Sequence, residues 1–317
     1  MKPSAPHHPV DTAQAPLGQQ GPASTDPLLH RVQVGDVGLT AFEWRAALRG
    51  QQPTLLLVHA TGFHGRVWDQ VVRHLPDRHV IAVELRGHGR SQAVDFDSWT
   101  AFGHDLAGLI EALDLRDAQA VGHSMGAAAL VHAAALQAGR IRQLMLVDPV
   151  LLAPADYHLP ALPAGTLHPA AGRKNHFASA QAMFDRFVDR PPYAVFDRQA
   201  LMDYCEYGLR PAEDGAGWQL ACAPRFEAKV YPLARQNPGI YASIRALQVP
   251  VLVVRARAQD PAIKPWDPLG SPTWPGLAQE FRQGRDLHLT DKTHFLPMED
   301  PAYTAQLITD ELESTLG

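Results

Sequence analysis

Ala118-Gln119-Ala120-Val121-Gly122-His123-Ser124-Met125-Gly126-Ala127-Ala128-Ala129-Leu130 is the stretch of this 317-residue chain whose reading decides the fold. Ala118 to Val121 reads as a short buried strand. The Ala-rich run from Met125 to Ala138, stopped by Gly139, reads as a helix. Between them, Gly122-x-Ser124-x-Gly126 predicts a sharp strand-to-helix turn that lifts the serine above the sheet, with glycines on either side where a Cβ would clash. Three residues at that spacing arise by chance in roughly one chain in ten of this length, so the weight lies on the strand before and the helix after. A serine hydroxyl is a poor nucleophile at neutral pH, and it needs a base within hydrogen-bond reach and donors for the oxyanion that follows attack. The start of the helix also favours nearby negative charge.

The strand-then-helix unit repeats on both sides of this stretch. Thr54 to Val58 is a continuous apolar run suited to a strand buried on both faces, and Val67, Trp68, Val71, Val72 and Leu75 follow at helical spacing up to Pro76. His79 to Val83 is the next strand, and Phe102, Leu106, Leu109, Ile110 and Leu113 mark one face of a helix over Trp99 to Leu113. Gln143 to Val147 ends at Asp148-Pro149. An opening hairpin is expected around Gly35-Asp36-Val37-Gly38. From Val150 to about Leu247 the rhythm gives way to Pro-rich joins and aromatic helical pieces, and it resumes with strands at Val249 to Val254 and Asp286 to Leu289 and a helix from Pro301 to Leu316. The expected fold class is α/β, a mostly parallel central sheet with helices on both faces and a helical cap inserted after the sixth strand. Residues 1–28 are expected to be a disordered extension, 29–149 and 248–317 the core, and 150–247 the cap.

Composition narrows the function. Hydrophobic residues make up 46% and charged residues 19%, and no stretch approaches the roughly 18 consecutive apolar residues of a membrane span. A net charge of −5 leaves no basic surplus for a nucleic-acid partner. Two cysteines, Cys205 and Cys222, are too few for a disulfide scaffold and fit a reducing, cytoplasmic setting. The N-terminal Pro-, Gln-, Ala- and Ser-rich segment lacks an apolar signal region, and its His7-His8 pair is expected to bind nothing in particular.

With these residues in view, the chain from Leu29 to its C-terminus resembles the α/β-hydrolase superfamily. His59-Ala60-Thr61-Gly62 looks like that family's oxyanion loop, with Ala60 where Gly is usual. Trp68 stands where a Trp often opens the next helix. Arg86-Gly87-His88-Gly89-Arg90-Ser91 is similar to its loop after the fourth strand, where Glu84 replaces the more usual Asp. Thr293-His294-Phe295-Leu296-Pro297-Met298-Glu299-Asp300-Pro301 resembles its histidine loop.

The resemblance implies Ser124 as nucleophile, His294 as general base, and the backbone N–H groups of Met125 and Thr61 as oxyanion donors, with Gly62 the alternative to Thr61. It implies that the acid orienting His294 follows the seventh strand, which selects Asp260, while Asp148 after the sixth strand is the competitor. Such a relay requires no cofactor and no metal. The expected partner is a small-molecule ester or lactone hydrolysed through an acyl-enzyme. Alternatives are a carbon–carbon bond hydrolase, with Arg173 or Arg186 receiving a carboxylate, and a receptor-like ligand binder with slow turnover. Phe184, Phe187, Tyr193, Tyr204, Tyr207 and Trp218 suggest an apolar or aromatic pocket in the cap, although any single one of them is more readily packing glue.

Overall fold

The computed structural model describes residues 26–158, 168–263 and 267–313. The expected 1–28 extension lies outside these except at its end, where Leu28 already belongs to a strand. The chain opens with the hairpin β1 (Leu28–Val34) and β2 (Val37–Trp44), then β3 (Leu55–Val58), a 3-10 turn over Gly65–Trp68 running into α1 (Asp69–Arg73), and β4 (Val80–Glu84). Next come α2 (Thr100–Ala112), β5 (Ala118–His123), α3 (Met125–Leu136) and β6 (Ile141–Val147).

The segment inserted after β6 holds β7 (His176–Phe177), α4 (Ala180–Phe187), α5 (Arg198–Tyr207), β8 (Leu209–Pro211), β9 (Trp218–Leu220), α6 (Pro224–Leu233) and α7 (Ile240–Ala246). The chain then returns to the main sheet with β10 (Val251–Arg255) and β11 (Gly284–His288) and closes with α8 (Leu296–Glu299) and α9 (Pro301–Glu313).

Eight strands form one sheet in the order β1-β2-β4-β3-β5-β6-β10-β11. The hairpin is antiparallel and so is the β2–β4 pair, while β4 through β11 run parallel. Every side chain of β3 is buried, as a strand flanked on both sides and covered on both faces requires. Its alternation divides the core: Leu56 and Val58 face the layer containing α2, α3 and α7, while Leu55 and Leu57 face the layer of α1 and α9. The Ala-rich sequence of α3 lets it lie tightly against α2, where a Cβ on Gly103 would come within 2.4 Å of the Cβ of His132.

The insertion differs from a purely helical cap. β7, β9 and β8 make a small antiparallel sheet in that order. Its last helix, α7, buries Ile240, Tyr241 and Ile244 in the same cluster as α3, so the chain has rejoined the core before β10 begins.

Candidate active site

Parallel strands that end at one edge of a sheet deliver their following loops to a common place, and the loops after β3, β4, β5, β6, β10 and β11 meet here. β5 ends in the turn at Ser124, whose φ of 57° and ψ of −120° are strained for a side-chain-bearing residue. The flanking glycines explain how the turn closes. A Cβ on Gly122 would fall 2.6 Å from the Cα of Ala127, and one on Gly126 would fall 2.3 Å from the carbonyl oxygen of His59. The Ser124 hydroxyl donates to Nε2 of His294 at 3.1 Å.

His294 lies between β11 and α8, and its Nδ1–H donates to Oδ2 of Asp148 at 2.6 Å. Because a carboxylate only accepts, this contact fixes the tautomer and leaves Nε2 free to receive the serine proton. Asp148 also carries a positive φ, 42°. Its Oδ1 accepts from Ala256 N–H at 3.0 Å, Ser271 Oγ at 2.5 Å and Thr273 Oγ1 at 3.2 Å. Burial works to raise its pKa, but the bonds from His294, Ser271 and Ala256 outweigh it and hold the carboxyl below its ordinary range.

The expectation of Asp260 as the acid is therefore corrected. Asp260 is exposed, and its Oδ1 accepts from Ala262 N–H at 2.8 Å in a local turn, away from His294. After β10 the chain passes Asp148 and contributes a backbone donor, Ala256, instead of a carboxylate. Ser271 and Thr273 carried no signal in the sequence, because they sit in an irregular loop with no periodicity.

On the other side of Ser124, the loop after β3 turns through a bond from Phe63 N–H to Ala60 C=O at 3.2 Å. Gly62 N–H donates to Nε2 of His88 at 3.0 Å, so that donor is committed. Thr61 borders the same cavity as Ser124, and Met125 opens α3, whose first-turn amides have no partner within the helix. Burial pushes His88 down to about 4, which keeps Nε2 an acceptor for Gly62, while Nδ1–H donates to Arg86 C=O at 2.9 Å. His123 steadies the histidine loop by donating from Nε2 to the carbonyl of His294 at 2.7 Å.

Ser124 and His294 open into a cavity of about 630 Å³, within the range of small-molecule sites. Of the cap aromatics, Tyr193 and Tyr204 line it. Phe184 packs inward, Tyr207 lies against the guanidinium of Arg66 at 3.9 Å, and Trp218 is exposed. Arg173 reaches the cavity wall, whereas Arg186 is exposed. Cys205 and Cys222 are buried, and burial pushes Cys205 up to about 12. Among the described residues, no three His, Cys, Asp or Glu side chains converge as a metal-ligand set, and no helix is long and apolar enough to cross a membrane.

Residues 55–307 match the family described as "Alpha/beta hydrolase family". The chain is 35% identical over 83 residues to the esterase YbfF of Escherichia coli, 26% of this chain and 32% of that protein. It is 33% identical over 128 residues to 2-(acetamidomethylene)succinate hydrolase of Mesorhizobium japonicum, 40% of this chain and 44% of the relative. It thus spans less than half the length of either relative. A crystal structure of E-2-(acetamidomethylene)succinate hydrolase superimposes with a TM-score of 0.69 at 23% identity, over 90% of this chain and 99% of the other, a likeness of fold.

Proposed function

This chain belongs to the alpha/beta hydrolase family, and from that premise we propose that it is a serine hydrolase of carboxylic esters or lactones, with Ser124 as nucleophile, His294 as base and Asp148 as the orienting acid. The observation that carries the reading is the continuous relay from Ser124 Oγ to His294 Nε2 at 3.1 Å and from His294 Nδ1 to Asp148 at 2.6 Å.

In this mechanism Ser124 attacks the ester carbonyl as its proton passes to His294. The Met125 and Thr61 amides receive the oxyanion, each donor worth about 10²- to 10³-fold in rate. His294 then protonates the departing alkoxide, and the acyl group remains on Ser124. Water, deprotonated by His294, releases the acid and restores the serine. Asp148 stays ionised throughout and stabilises the imidazolium. The inserted segment acts as the cap that walls the acyl group from solvent. A cytoplasmic location goes with this reading, supported by two unpaired, buried cysteines.

The test is a p-nitrophenyl ester series from acetate to octanoate, run beside fluorophosphonate labelling of wild type and Ser124→Ala. Wild type turns over repeatedly and is labelled, and the variant loses labelling and at least about 10⁴-fold in turnover. An unlabelled wild type overturns the assignment of an activated Ser124. Labelling without steady ester turnover moves the reading to a carbon–carbon bond hydrolase or to a receptor-like binder.

A further inference from the structure

Five residues from separate parts of the inserted segment converge on the cavity wall. Arg173 donates from Nη2 to the hydroxyl oxygens of Tyr204 at 2.8 Å and Tyr193 at 2.9 Å, and from Nη1 to the carboxylate of Glu227. The two phenol rings stack with centroids 5.4 Å apart, and their hydroxyl oxygens are 3.4 Å from each other. Tyr231 donates its hydroxyl to Glu227 Oε1 at 3.2 Å. All five residues line the cavity that holds Ser124 and His294.

Two counts follow. The first is of charge: the buried Glu227 carboxylate matches the Arg173 cation, so this wall presents no net charge, and a substrate carboxylate would meet Glu227 at the same place. The second is of protons. An arginine has no acceptor, so each phenol oxygen that accepts from Nη2 must aim its own O–H elsewhere. At 3.4 Å one hydroxyl donates weakly to the other, and among the described residues no carbonyl or carboxylate accepts from either. At least one O–H is left to donate into the cavity. Burial raises both phenols, so they stay protonated. A buried donor without a partner is costly, and a ligand oxygen is the natural acceptor.

We propose that Tyr193 and Tyr204, aligned by Arg173 and neutralised in their surroundings by Glu227, form a hydrogen-bond donor site that selects substrates carrying a second, uncharged acceptor oxygen, a ketone or amide carbonyl, in addition to the bond that is cleaved. This rests on the serine hydrolase reading and names its substrate class. The sequence offers Arg173, Tyr193 and Tyr204 as separate pocket candidates but no sign that they join with Glu227, because positions 173, 193, 204 and 227 share no motif or period.

The test compares p-nitrophenyl oxoalkanoates, with the ketone at carbon 4 to 7, against alkanoates of equal length and against carboxylate-terminated half-esters. Wild type prefers the best-fitting keto ester over its alkanoate by about tenfold or more in kcat/KM, and disfavours the half-esters. In the Tyr193→Phe/Tyr204→Phe protein that ratio falls to about one, chiefly through KM. Because the ratio is taken within one protein, a variant of lowered overall activity still answers. A preference that is absent in wild type, or that survives in the double variant, overturns the donor site while hydrolysis of the plain alkanoates keeps the serine hydrolase reading. A preference for the half-esters also overturns it, making Arg173 an anion anchor. If no ester is turned over, binding of methyl oxoalkanoates against methyl alkanoates to the Ser124→Ala protein decides: tighter keto binding that is lost in the double variant supports the site, and equal binding overturns it.

Discussion

Asp148 is held by four donors and a left-handed backbone, which is more constraint than a turn residue at a strand end needs. Replacing it by Asn keeps the size and removes the charge, and the amide then favours the wrong tautomer of His294. Asp148→Asn is expected to lower kcat by about 10⁴-fold with little change in KM, whereas Asp260→Asn stays within about twofold of wild type, both read by steady-state kinetics. The reverse pattern would return the acid to Asp260. That Ser124 and His294 would meet was legible from the chain because each sits in a local motif between a strand and a helix. Which aspartate meets His294 was not, since both candidates follow strands and the choice rests on where the chain turns after β6 and β10. That trajectory is fixed by Ser271, Thr273 and Ala256 closing on Asp148, contacts made across more than a hundred residues that no local pattern encodes.

At the scale of elements, the periodic segments were read correctly in kind and shifted only at their ends. The strand expected over Val249 to Val254 is β10, Val251–Arg255, and the helix expected over Trp99 to Leu113 is α2, Thr100–Ala112. The strands of the insertion were missed because β7 has two residues and β8 and β9 three each, too short to display an alternation. The tight seat of α3 against α2 invites a direct probe. Gly103→Ala forces a methyl toward His132 and is expected to cost about 1–3 kcal/mol of stability in denaturant unfolding, while fluorophosphonate labelling of Ser124 persists in the folded fraction. An unchanged midpoint would show that the two helices part at little cost.

The whole molecule carries its buried histidines as a pH-dependent load. Burial depresses His59 well below its ordinary value, His88 to about 4, and His64 and His123 to about 3. Below about pH 6.5 the unfolded chain takes up these four protons and the folded chain refuses them, so their stabilisation is present above that pH and is lost as it falls. Glu84, raised by burial to about 7, and Asp69, raised to about 6, act oppositely and return about two protons. The net expectation is a melting temperature that drops steadily from pH 6.5 to 4.5, measured by calorimetry in buffers of matched ionic strength. A flat or rising melting temperature over that range would mean the imidazoles are charged in the folded state.

The hydrogen-bonded relay is built from strand ends far apart along the chain, with Ser124 and His294 separated by 170 residues and Asp148 146 residues before His294. During vectorial synthesis the serine elbow therefore leaves the ribosome long before the imidazole to which it is hydrogen-bonded. On the proposed mechanism the nascent protein carries an unactivated alcohol through that interval, and its chemistry switches on with the docking of β11 on β10 as the last parallel strand. On that mechanism reactivity is timed to the completion of the sheet, and a product truncated before β11 exposes a serine without its base.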